Sequence, residues 1–340
     1  MSPFRLIAHL LLSTFILYSP SLWGQDSTVR IEGYTQGTTY HITYVDTLER
    51  DFQPEIETIL HNFDLSVSTY NPNSIISKIN NNQKNVVLDA YFITCFNKAK
   101  EVWKNTDGAF DPTVFPLVNL WGFGPLSNNT IDKTKIDSIK QFVGFQLIDL
   151  KDGKIIKKDK RVRLDFNAFA QGYSVDVIAA FLRSRNVKAY VVEIGGEVAA
   201  HGQKPSGEFW KIGIEKPIDN HDSTNPIRAI ATLHNMALAT SGNYRKFFIE
   251  NGQRFAHHID PKTGYPAKNN LLSASVFAKD CISSDAYATG ILVMGLDMAI
   301  AFLKQHPELQ AYLIYADNNS TDGFKVYETP LINTLITEIK

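Results

Sequence analysis

Apolar and polar positions alternate from Thr28 to Val45 on either side of Gln36-Gly37, which predicts a β-hairpin closed by a tight turn. Tyr34, Tyr40 and Tyr44 share parity around that turn, and some of these rings are expected at the mouth of a site. Ile56, Ile59, Leu60 and Phe63 recur at helical spacing and predict an amphipathic helix ending near Asp64. A second helix is expected over 89–104, where Tyr91, Phe92, Cys95, Phe96, Ala99, Val102 and Trp103 form one apolar stripe. Between 106 and 125 the chain reads TDGAFDPTVFPLVNLWGFGP. Its Gly and Pro residues forbid a long helix or a central strand, yet its aromatic residues are too many for an idle loop. A packed plug, or the wall of a pocket for a flat aromatic ligand, is the expectation.

A short helix follows over 131–142, then two or three strands over 145–164 interrupted at Asp152-Gly153, then a helix carrying Val177, Ile178, Phe181 and Leu182. Strands are predicted at 189–194, broken by Gly195-Gly196, at 210–214, at 229–233, and at 238–244. Phe247–Ile249 and Arg254–Ala256 pair across Asn251-Gly252 and deliver His257 to the end of a hairpin. A helix over 298–303 and strands at 311–315 and 324–327 close the chain. Strands and helices do not alternate regularly, so the expected class is α+β: one domain of mixed, mostly antiparallel sheets with packed helices.

Chemistry concentrates between Phe255 and Gly295, FAHHIDPKTGYPAKNNLLSASVFAKDCISSDAYATGILVMG. An apolar strand there runs into a helix that Gly295 should stop, with Ser283 or Ser284 as its N-cap. Asp285 and Thr289, four residues apart, would share one helix face in a geometry that can hold a hard cation. In the first turn Asp285 would also meet the positive end of the helix dipole, where a phosphate and its metal can gather. The residues alone leave a second reading open, in which Asp285 only complements the dipole and Thr289 only packs.

Composition narrows the classes. With 340 residues, 44% hydrophobic and 20% charged, the chain is globular, and its net charge of -1 without basic runs argues against a nucleic-acid partner. Residues 1–24 stand apart: Arg5, an apolar stretch from Leu6 to Tyr18, and a cleavable Ser21-Leu22-Trp23-Gly24. They read as an export signal or N-terminal anchor, with the folded domain over 25–340. The two cysteines, Cys95 and Cys281, lie in such different settings that two buried single thiols are expected.

HHIDPKTGYP followed by SSDAYATGILVMG resembles the signature of the ApbE family, the FAD:protein FMN transferases. The similarity continues in register through Ser68-Thr69-Tyr70, the GAFDPTVFPLVNLWGFGP stretch, the Asp165 segment, Gly195-Gly196 and Thr240-Ser241-Gly242-Asn243-Tyr244. The resemblance implies a T-fold-like domain that takes FAD as substrate, uses Mg²⁺, attaches FMN to a Thr or Ser hydroxyl of an acceptor protein, and releases AMP. It implies flavin contacts at Gln36, Tyr70, Ala109, Phe110, Asp111, Asp165, Gln171 and Ile259. Metal ligation falls at Ala168 through its carbonyl, Asp285 and Thr289, and a catalytic histidine at His257. The acceptor would be a subunit of a membrane redox complex with an exported Thr or Ser motif, which puts the protein in the periplasm or on the outer face of the inner membrane. Members are often lipoproteins, and no Cys stands here to be acylated. Gln36 replaces a usual Met, Gln171 a usual Lys or Glu, His258 an aliphatic residue, and Ala288 a second Asp found in some members.

The chemistry fits these residue types. Mg²⁺ takes six oxygens and keeps waters and substrate phosphates, so one carboxylate, one hydroxyl and one carbonyl are a credible protein share. An imidazole titrates in the range needed to accept a proton from a hydroxyl near neutrality. His257 is therefore expected to act as general base or to orient the acceptor, unless it only caps the Asp260 turn.

Overall fold

The computed structural model describes residues 27–124, 132–217, 226–243, 247–250 and 253–339. The segment 1–24 expected to be an export signal, Tyr244 and the Asn251-Gly252 turn lie outside the described residues.

The chain opens with a hairpin, β1 (Thr28–Thr35) and β2 (Thr38–Val45), followed by α1 (Gln53–Val67), α2 (Ile75–Asn80) and α3 (Ala90–Asn105). Two short helices, α4 (Phe115–Leu120) and α5 (Ile136–Lys140), and a small hairpin, β3 (Ile148–Lys151) with β4 (Lys154–Lys157), lead to α6 (Ala170–Ser184). Next come β5 (Ala189–Ile194), β6 (Glu197–His201), β7 (Trp210–Glu215), β8 (Ile227–Leu233) and β9 (Met236–Gly242), then the hairpin β10 (Phe247–Glu250) and β11 (Gln253–Ala256). The remainder is β12 (Leu271–Ala278), α7 (Cys281–Met294), α8 (Leu296–Gln305), β13 (Gln310–Ala316), β14 (Phe324–Glu328) and β15 (Ile336–Glu338).

Eight strands form one sheet in the order β1-β2-β5-β6-β9-β12-β13-β14, every neighbouring pair antiparallel. The expected α+β class with mostly antiparallel sheets is the one found. Both faces of this sheet are covered. Along β12 and β13, Val276, Ala274 and Leu313 point toward the helices, while Phe277, Tyr312 and Ile314 point toward a smaller sheet, β15-β8-β7, with Ala229, Ala231 and Leu233. A strand buried on both faces has no polar side to show, which is why β12 reads as a continuous apolar run. Helix α7 is buried nearly all round, between the sheet and helices α3 and α6.

The first hairpin turns as expected: Gln36 (φ 52°) and Gly37 (φ 77°) both adopt the left-handed backbone of a type I′ turn. Other expectations need correction. Helix α1 continues past Asp64 to Val67, and the polar stretch that follows contains α2, capped by the Ser74 hydroxyl accepting from Ser77 N. The 106–125 stretch carries a six-residue helix, α4, with Pro116 in its first turn where a proline costs no hydrogen bond. The strands expected over 145–164 need none: two, β3 and β4, form on either side of Asp152-Gly153, within the expected two or three. Tyr40 and Tyr44 are core residues, not the mouth of a site: their hydroxyls are spent on Glu57 (3.1 Å) and the Arg50 carbonyl (2.6 Å), while Tyr34 is exposed.

Cys95 and Cys281 are both free and fully buried, and burial holds each thiol well above its usual pKa. Neither thiol should therefore react with an aromatic disulfide reagent in the native protein, and both should react once denaturant unfolds it; rapid labelling of the folded protein would contradict this burial.

Candidate active site

Helices α6 and α7 cross in contact at Gly172. A Cβ there would lie 2.5 Å from the Cys281 carbonyl oxygen and 2.7 Å from the Asp285 Cβ, so no other residue fits without moving a backbone. The Gly172 N–H, one of the unpaired donors of the first turn of α6, donates to Asp285 Oδ2 (2.9 Å). Asp285 is buried, with one oxygen tied and the other in no hydrogen bond among the described residues. Burial pushes its carboxyl up to about 7, against the Gly172 N–H, which favours the ion; the charge of Asp176 adds to the rise.

The expected cap of α7 is not the one used. Asp280 caps the helix, its side chain accepting from Ser283 N (3.0 Å), so Ser283 and Ser284 lie inside and Asp285 falls in the second turn. The two leading N–H groups, of Cys281 and Ile282, donate to the Asp176 carboxylate at 2.9 and 2.8 Å. The helix N-terminus is thus filled by protein and offers no phosphate site of its own.

What Asp285 shares with Thr289 is a ring of oxygens. Thr289 Oγ1 donates to the Ala168 carbonyl (3.2 Å), and Ser241 Oγ on β9 lies 3.3 Å from Thr289 Oγ1. A carboxylate, a carbonyl and two hydroxyls are the donors a hard divalent cation prefers. No group of three or more His, Cys, Asp or Glu able to hold a metal occurs among the described residues, and of these four oxygen donors only Asp285 is a carboxylate. Such a set leaves coordination positions to waters and phosphate oxygens.

These oxygens open into a cavity of about 330 Å³. Of the residues expected to contact flavin, Tyr70, Ala109, Phe110, Asp111, Asp165, Gln171 and Ile259 line it; Gln36 does not, and sits on its turn with Oε1 3.4 Å from Ser174 Oγ. The 106–124 segment forms one wall with Phe110, Pro112, Val118 and Phe123, as the pocket reading of that stretch requires. Asp111 is held by Thr113 N, Thr113 Oγ1 and Phe145 N (2.6 to 2.9 Å), while burial raises its pKa to about 6. Asp165, also raised to about 6 by burial, accepts from Asn167 N.

Both histidines reach the cavity, at the end of the β10–β11 ribbon. Their ring centroids are 3.9 Å apart. His258 is buried with Nδ1 3.0 Å from Asn243 Oδ1, whereas His257 is only half-buried and meets Phe123 edge-on at 6.2 Å. Among the residues sequence reasoning missed are Glu197 and Ser241, which line the cavity, and Asn243, which holds His258. Two of them stand in the Thr-Ser-Gly-Asn string at 240–243, and Glu197 directly follows the Gly195-Gly196 turn. The strings were visible, but which side chain enters a cavity is decided by the sheet.

This fold has known counterparts. The family model of the ApbE family matches residues 36–313. FAD:protein FMN transferase of Haemophilus influenzae is 36% identical over 94% of this chain and 97% of its own length, and that of Vibrio cholerae is 35% identical over 88% and 90%. The structure of the flavin transferase ApbE from Vibrio cholerae superposes with a TM-score of 0.82 at 31% identity, covering 91% of this chain and 99% of that one. The chain belongs to the ApbE family.

Asp285, Asp176, Asp111 and Asp165 all have carboxyls raised by burial, to between about 6 and about 7. An unfolded aspartate releases its proton at about 3.9. The folded chain therefore holds more protons than the unfolded one between these values, and stability falls as pH rises through that window. The Tm of chelator-treated protein should drop from about pH 5 to about pH 8; a Tm that climbs over this range would refute the burial of these groups.

Proposed function

We propose that this protein transfers FMN from FAD to a Thr or Ser hydroxyl of an acceptor protein, forming a phosphoester and releasing AMP. The observation that carries the proposal is the convergence of the Ala168, Ser241, Asp285 and Thr289 oxygens and the His257 imidazole on one aromatic-walled cavity, in a chain of the ApbE family. The cavity wall from Phe110 to Phe123, with Tyr70 and Ile259, offers the apolar surface a flat flavin needs, and Asp165 and Gln171 supply polar contacts.

The oxygen set suits Mg²⁺, which Asp285, Thr289 and the Ala168 carbonyl would hold, with Ser241 beside them. When bound, Mg²⁺ supplies Lewis-acid charge neutralisation for a pyrophosphate. His257 accepts the proton of the acceptor hydroxyl, whose oxygen forms a bond to the FMN phosphorus as the bridging P–O bond breaks and AMP leaves with the bridging oxygen. His258, tied to Asn243, orients its neighbour instead of exchanging protons. Asp285 in its buried, single-tethered state pre-organises the cation set before substrate arrives.

We further propose that the mature chain acts outside the cytoplasm, on the strength of Arg5 and the apolar run from Leu6 to Tyr18. Its acceptor is then an exposed loop of a membrane redox complex on that side.

Incubation with FAD, Mg²⁺ and a Thr-bearing acceptor loop should add the mass of FMN to the acceptor and produce an equal amount of AMP. Free FMN with an unmodified acceptor would point to hydrolysis and overturn transfer. His257→Ala should lower the transfer rate by about 10²- to 10⁴-fold while FAD still binds, as expected for loss of a general base; an undiminished rate would remove His257 from that role. Asp285→Ala should raise the Mg²⁺ concentration needed for half-maximal rate by at least about tenfold, read from Mg²⁺ titrations at fixed FAD.

A further inference from the structure

The oxygens of the proposed cation site do not come from one element. Ala168 lies two residues before α6, whereas Asp285 and Thr289 project from α7. Their mutual distances therefore depend on how far α7 has slid along α6. A slip of one residue moves a helix by about 1.5 Å, far outside the tolerance of an octahedral ion with bonds of about 2.1 Å.

Two carboxylates tie the helices against such a slip, and they do so reciprocally. Asp285 of α7 accepts from Gly172 N in the first turn of α6 (2.9 Å). Asp176 of α6 accepts from Cys281 N and Ile282 N, the first two residues of α7 (2.9 and 2.8 Å). Each helix thus has its opening donors capped by an acid of the other. Gly172 sets how close the helices come, and the crossed carboxylates set where along their lengths they meet.

Resting on the cation site proposed above, we infer that Asp176 is a positioning residue for it: by clasping the start of α7 it holds Asp285 and Thr289 opposite the Ala168 carbonyl. Asp176 does not line the cavity. It also differs in kind from Asp280, whose side chain caps the same helix from within the same segment and, among the described residues, hydrogen-bonds to no other element. That difference supplies the control.

Asp176→Asn and Asp280→Asn each weaken one cap of α7, and both should lower Tm. With FAD-free protein, the Mg²⁺ concentration at the midpoint of the Mg²⁺-induced rise in Tm should increase by about tenfold or more for Asp176→Asn and stay within about twofold of wild type for Asp280→Asn. The transfer rate of Asp176→Asn at saturating Mg²⁺ should stay within about threefold of wild type, since no reacting group is removed. Unchanged Mg²⁺ dependence in Asp176→Asn, or equal losses in both variants in step with Tm, would overturn the positioning role. Wild-type protein with no Mg²⁺-dependent rise in Tm would overturn the cation site together with this inference, whereas a normal wild-type response beside an unaltered Asp176→Asn overturns the inference alone. Should Asp176→Asn be recovered unfolded, Asp176→Glu, which keeps both oxygens and displaces them by one methylene, is held to the same thresholds.

Discussion

The close crossing of α6 and α7 at Gly172 is the constraint on which the rest of the site depends. A buried carboxylate is costly unless its oxygens are satisfied, and Asp285 is satisfied on one side by a backbone N–H that exists only because Gly172 lets the helices touch. Its other oxygen makes no hydrogen bond among the described residues, and the residue lines the cavity. Burial keeps the carboxyl's affinity for a proton high, and the same field makes an arriving cation the better partner. The architecture follows from this point outward. Helix α7 can carry an acid in its middle because it is surrounded by the sheet, α3 and α6, and the sheet can hold α7 because both of its faces are sealed by apolar layers.

Much of this fold was legible in the sequence where the signal is local. The Gln36-Gly37 turn demands positive φ at two successive positions and has residues that tolerate it; the 90–105 helix shows its stripe because one face meets the core and the other meets water. Legibility failed where tertiary structure decides. Ser283 and Ser284 are good capping residues, yet Asp280 caps the helix, because the chain leaves β12 there and the serines find other partners: Ser284 Oγ donates to the Asp280 carbonyl and Ser283 Oγ accepts from Lys98. A helix buried nearly all round carries no periodic mark of where it starts. Helix α2 is too short to show a period at all.

For the site, spacing named Asp285 and Thr289 because a four-residue interval is a helix fact. It could not name Ser241 or Glu197, which reach the cavity from β9 and β6 by virtue of strand order alone. Tyr40 and Tyr44 failed in the opposite sense: their parity was right, but the face they share is the one α1 and α6 cover. Gln36 was placed correctly on its turn, though away from the cavity lining.

The β10–β11 ribbon pairs with itself and, among the described residues, with no strand of either larger sheet. The imidazole proposed to exchange protons thus sits at the end of this separate ribbon, whereas Asp285 and Thr289, proposed to hold the cation, belong to the buried helix α7. On the proposed function, changes in the length or twist of that ribbon would reshape the acceptor side while leaving the helix crossing proposed to grip the dinucleotide untouched. Partner recognition and pyrophosphate handling would then be mechanically separable within one chain.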